Sequence, residues 1–136
     1  MTKISYTVDI RAPIEGCFRN IKACLEDERY KKVCSNLVST RYIQEIIEET
    51  ENKSIIIKEI AVDTMTGLIF KNFVLIHSYM FSLVSDNVTR IDISIEYSRL
   101  VALLGLGIVK PQVKDRIIWA VKSLISYENG FKDNGP

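Results

Sequence analysis

The sequence predicts a single α+β domain: a curved antiparallel sheet of about six or seven strands wrapped around one long C-terminal helix. Three observations lead there. Apolar residues alternate with polar ones over residues 3–11, and a period of two returns over most of residues 37–97. The period becomes helical after Pro13 and again after Pro111. No repeat, low-complexity stretch or linker divides the 136 residues, which suit one domain. The domain is expected over residues 1–130, with 131–136 as a flexible tail.

The elements follow in order. Ile4, Tyr6, Val8 and Ile10 share one face of the first strand, with Ser5, Thr7, Asp9 and Arg11 on the other. Pro13 suits the first turn of a helix, where its missing N–H would have no partner anyway, and Glu15 complements the helix dipole. Ile14, Cys17, Phe18, Ile21 and Leu25 form its apolar stripe. A second short helix is expected over residues 27–35, carrying Tyr30 and Val33, which completes a helix pair. Residues 37–49 read as a strand, Glu51-Asn52-Lys53 as a turn and residues 55–62 as the return strand. Residues 68–77 and 79–84 read as two further strands, with His77-Ser78 as either a break or a bulge. Asp86-Asn87 is a hairpin turn. Residues 89–97 alternate most strictly, Ile91, Ile93, Ile95 and Tyr97 inward against Arg90, Asp92, Ser94 and Glu96. The last helix is expected from Pro111 to a cap at Asn129-Gly130, about 19 residues or roughly 28 Å.

Composition excludes several classes. The chain is 47% hydrophobic and 26% charged, as globular domains are. Its 18 basic and 17 acidic residues are interspersed, so no nucleic-acid footprint is expected. The longest apolar run, residues 100–109, is about half of what a membrane span needs. Residues 1–5 lead straight into alternating sequence without a secretory-signal pattern, and Cys17, Cys24 and Cys34 have no paired spacing. Three free thiols in a cytoplasmic protein are expected.

The order of elements, the stretch Val8-Asp9-Ile10-Arg11-Ala12-Pro13-Ile14-Glu15 and the strand Thr89-Arg90-Ile91-Asp92-Ile93-Ser94-Ile95-Glu96-Tyr97 resemble the START-like superfamily. This is the birch-pollen-allergen or polyketide-cyclase-like (SRPBCC, helix-grip) fold. The resemblance covers nearly the whole chain through short, mostly structural motifs. The chain departs from it at Cys17-Phe18, where Val-Trp or Val-Phe is usual, and in a compact meander. Leu100-Val101-Ala102-Leu103-Leu104-Gly105 is weakly similar to a segment of the carbon monoxide dehydrogenase G-like group. The resemblance implies a hydrophobic ligand held between sheet and last helix, in a cyclase, a hydrolase, a carrier or an assembly factor.

No catalytic motif stands out, and no cofactor or metal is expected. His77, the single histidine, lacks a Cys or carboxylate cluster and reads as a strand-end residue with a local hydrogen bond rather than a general base. Cys17 and Cys24 read as core thiols. Glu59 and Asp63 are assigned to the solvated convex face, and Glu45, Glu48, Glu49 and Glu51 to a solvated strand end. Gly105-Leu106-Gly107 lacks the context of a phosphate loop.

The leading expectation is a non-catalytic module for a hydrophobic small molecule or lipid. Its walls would be Tyr6, Val8, Phe81, Ile93, Ile95, Tyr97, Ile117, Trp119 and Val121, with Leu103 and Leu104 near the mouth. One rival is a cyclase- or hydrolase-like enzyme in the same cavity, drawing on His77, Tyr97, Tyr6 and Glu59, which no spacing links. The other is an assembly protein or homodimer that uses the apolar 100–109 segment.

Overall fold

A computed structural model of the chain describes residues 2–26, 32–34, 39–64, 74–98 and 109–134. Strand β1 (Thr2–Ile10) leads into helix α1 (Ile14–Glu26). Strands β2 (Lys32–Cys34), β3 (Ser39–Thr50), β4 (Ser54–Thr64), β5 (Val74–Ser85) and β6 (Val88–Tyr97) follow. Helix α2 (Val109–Asn134) closes the described chain. The strands form one antiparallel open sheet in the order β1-β6-β5-β4-β3-β2. Five of them are long, and β2 is a three-residue piece beside the start of β3.

The local chemistry explains the joints. The Pro13 carbonyl accepts the first α1 hydrogen bond from Cys17 N at 3.1 Å, and Thr89 Oγ1 ties the Ala12 carbonyl to β6 at 2.9 Å. The β3–β4 turn closes with Lys53 N donating to the Thr50 carbonyl at 2.9 Å. Asn52 there takes φ 59°, a left-handed conformation that asparagine tolerates better than most residues.

Both helices lie across the inner face of the sheet and against each other. Ile55 and Ile57 of β4, Leu75, Tyr79 and Phe81 of β5, and Ile91, Ile93, Ile95 and Tyr97 of β6 are buried there. The strict alternation of β6 is thus fulfilled, with Asp92 exposed on the other face. Helix α1 contributes Cys17, Phe18, Ile21, Cys24 and Leu25, and α2 contributes Val113, Ile117, Ala120 and Leu124.

Four expectations are corrected. His77-Ser78 neither breaks nor bulges a strand: β5 runs unbroken through both, because each pairs in register with β4 and β6. The helix pair after β1 is one helix within the described residues, and Lys32–Cys34 is extended because it pairs with β3. The sheet has five long strands and one short piece, fewer than a full six or seven. Helix α2 begins two residues before Pro111 and continues past Gly130 to Asn134. A glycine inside a helix costs only about 1 kcal/mol, which neighbouring turns offset. The 100–109 segment, Leu103 and Leu104 included, lies almost wholly outside the described residues.

Candidate functional site

Three ionisable side chains meet on the inner face of the sheet, where α2 reaches β4 and β5. Glu59 of β4 and His77 of β5 are on the same, inner face. Glu59 pairs with Leu75 in register and Ile57 with His77, so the two are diagonal neighbours. His77 Nε2 abuts Glu59 Oε1. Arg116 reaches down from α2, its Nε donating to Glu59 Oε1 at 3.0 Å and its Nη2 to Oε2 at 2.6 Å. From the other side Gln44 of β3 donates its Nε2 to Glu59 Oε2 at 2.9 Å. Glu59 and His77 are 0% exposed and Arg116 is 2% exposed.

Burial alone would raise the Glu59 carboxyl. The charge and hydrogen bonds of His77 and Arg116 overcome this and hold it down at about 2. Glu59 is therefore a carboxylate, met by groups from two neighbouring strands and a helix. The planar Arg116 fork matches that carboxylate in two places at once. His77 also stacks on Tyr79, ring centres 6.3 Å apart and planes 17° from parallel. The rest of the interface is apolar, so the cluster is its one strongly polar spot among the described residues. No group of side chains there could hold a metal ion, within the described residues.

This overturns two sequence assignments. Glu59 does not face solvent, because it shares its side of β4 with the buried Ile55 and Ile57. His77 is not at a strand end, since it sits inside β5 with β4 and β6 on either side. Asp63 lies in β4 opposite Arg41. Arg116 and Gln44 are additions that the sequence reading does not contain. The available signal was position: Arg116 falls three after Val113 and four before Ala120, within the apolar stripe of α2.

The expected wall residues separate into groups. Phe81, Ile93, Ile95, Tyr97 and Ile117 are buried in the interface, with Phe81 set edge-on to Phe18 at 5.4 Å. Val8 and Val121 are partly buried against them. Tyr6 shares the inner face, opposite Ile93, but stands on the outermost strand β1 and is 49% exposed. Trp119 is 37% exposed, because it lies to one side of the stripe formed by Val113, Ile117, Ala120 and Leu124. Cys17 and Cys24 are buried, and desolvation pushes the Cys17 thiol up to about 11.

No family model matches the chain, and no curated protein matches it. Solved structures do. The Zhui aromatase/cyclase from Streptomyces sp. R1128 superposes with a TM-score of 0.62 at 7% identity, over 99% of both chains. Protein Mll3558 from Rhizobium loti gives 0.62 at 6% identity, over 93% of this chain and 96% of its own. Protein Ms6760 from Mycobacterium smegmatis gives 0.56 at 18% identity, over 96% and 90%. At these identities the likeness establishes the fold alone, one shared with the Zhui aromatase/cyclase. No helix among the described residues is long and apolar enough to cross a membrane.

Proposed function

We propose that this protein binds a hydrophobic small molecule or lipid between the sheet and α2, with Glu59, His77, Arg116 and Gln44 anchoring its polar end. The observation that carries this reading is the buried charge cluster itself. An ion pair removed from water is rarely more stable than well-packed apolar side chains of the same volume. Packing alone therefore gives this fold no reason to place Glu59, His77 and Arg116 in its interior. Perturbed ionisable groups of this kind concentrate at functional sites. The apolar surroundings suit a ligand that is mostly hydrocarbon or aromatic, and the donors suit one hydroxyl, keto or carboxyl group.

The likeness to an aromatase/cyclase supports a site in this layer. A carrier role without turnover is part of the proposal, as is kinship with the carbon monoxide dehydrogenase G-like group, which rests on the 100–105 segment alone. The test is a titration of the single tryptophan, Trp119, whose helix also carries Arg116. Long-chain and aromatic compounds bearing one polar group should shift its emission saturably. The same compounds without the polar group should bind less tightly, and equal affinity for both sets would refute the anchoring role.

A second reading has one observation in its favour. A histidine held directly against a carboxylate is an arrangement used for general acid–base chemistry. If the protein is a cyclase- or hydrolase-like enzyme, a bound compound incubated with it is converted, and the conversion fails in His77→Gln. If it is a carrier, the compound is recovered unchanged.

A further inference from the structure

The outer face of the sheet, opposite both helices, is divided. Over β1 and β6 it is polar: Arg90 Nε donates to Asp9 Oδ1 at 2.9 Å, and Thr7 Oγ1 to Asp92 Oδ1 at 2.6 Å. Over β3, β4 and β5 it is mixed, with apolar rows interleaved with Glu45, Glu48, Lys58 and Ser78. Ile43, Ile60 and Val74 stand side by side across three strands, flanked by Ile76 and Ile56, with Met80 46% exposed further along β5. Ile43 is 52% exposed. The sequence carries the same division. Strand β6 alternates, as a strand with one solvated face does, whereas Ile55-Ile56-Ile57 and Val74-Leu75-Ile76 are continuous apolar runs. Short apolar runs of this kind occur in strands that are covered on both faces. Among the described residues, the helices cover only the inner one.

We infer that the outer face of β3, β4 and β5 is the interface of a homodimer, in which a second copy packs its own half-face against this one about a two-fold axis. A charge pair within the patch indicates that occupant. Glu45 and Lys58 are cross-strand partners between the Ile43–Ile60–Val74 row and Ile56. A two-fold axis beside them places each Glu45 against the other copy's Lys58, so the surface is complementary to itself in charge as well as in apolarity. Exposed pairs of this kind fix orientation more than they add affinity. The sheets would pack face to face, about 10 Å apart, leaving the ligand layer of each copy on the far side.

Sedimentation equilibrium of the purified chain over a micromolar concentration series tests this, with circular dichroism confirming that each variant keeps its sheet. The wild type should be a dimer. Ile76→Glu should weaken it by about tenfold or more, since it puts a carboxylate into an apolar contact. Glu45→Lys and Lys58→Glu should each weaken it as like charges meet, and the Glu45→Lys/Lys58→Glu double variant should recover it. A wild type that is monomeric throughout, a dimer indifferent to Ile76→Glu, or a double variant no better than either single one would overturn the inference. So would a monomer that instead floats with phosphatidylcholine vesicles through this face.

Discussion

Arg116 of the last helix grips both carboxylate oxygens of Glu59, 57 positions away in the chain, at 3.0 and 2.6 Å across the sheet–helix interface. The contact forms only when α2 is docked in one rotational setting and β4 in one register, because a one-residue slip would turn Glu59 outward. The pair therefore links the position of α2 to the centre of the sheet, where the ligand is proposed to end.

Removing Arg116 leaves the buried Glu59 carboxylate without its two-pronged partner. Arg116→Met is expected to lower stability by about 3–5 kcal/mol, whereas a triple variant Glu59→Leu/His77→Phe/Arg116→Met should recover most of that loss. Urea denaturation of the three proteins measures it. A mild effect of Arg116→Met would show that water reaches the cluster. The recovered triple variant should still fail to distinguish ligands by their polar group.

Acid should expose the same cluster. The Glu59 carboxyl is held near 2 in the folded protein against an ordinary 4.5. Between those values the unfolded chain binds the proton and the folded one does not, so stability rises with pH. The contribution is complete above pH 4.5 and is lost as pH falls through 2. Urea midpoints should therefore decline more steeply over this window in the wild type than in Glu59→Gln. Parallel profiles would contradict it.

Cys17 is buried, and burial is the main cause of its raised thiol. In the native protein near neutral pH it should react with an aromatic disulfide reagent far more slowly than a free model thiol. In denaturant without reductant all three cysteines should titrate. Prompt native labelling at Cys17, identified by peptide mapping, would contradict this placement.

The two described glycines lie in helices and should respond oppositely to alanine. A Cβ on Gly16 would overlap the hydroxyl and ring of Tyr127, so Gly16→Ala should destabilise by about 1–3 kcal/mol. A Cβ on Gly130 meets nothing within 4 Å, so Gly130→Ala should stabilise by up to about 1 kcal/mol. Thermal melts of the two variants decide the matter, and matching shifts would show the α1–α2 contact to be looser than described.

Much of the fold is legible in the sequence because β1, β6 and α1 each have one wet face, and their periodicity states which. Strand β4 gives no such signal. Ile55, Ile56 and Ile57 put apolar side chains on both faces, so parity does not reveal that Glu59 points inward. His77 misleads for a related reason, since the polar Ser78 beside it resembles a break, although Ser78 is only the outward step of a continuous strand. Pairing Glu59 with Arg116 requires the docking of α2, a tertiary fact that no local spacing encodes. The apolar wall residues of β5 and β6 are readable, while the placing of Trp119 depends on the rotation of a helix whose apolar side is broad.

Native mass spectrometry of the freshly purified protein tests the proposed function most directly. The expected result is one hydrophobic small molecule of constant mass on each chain, released on unfolding. Only the bare polypeptide mass, both as purified and after incubation with long-chain and aromatic compounds carrying a polar group, would contradict a ligand site between the sheet and α2.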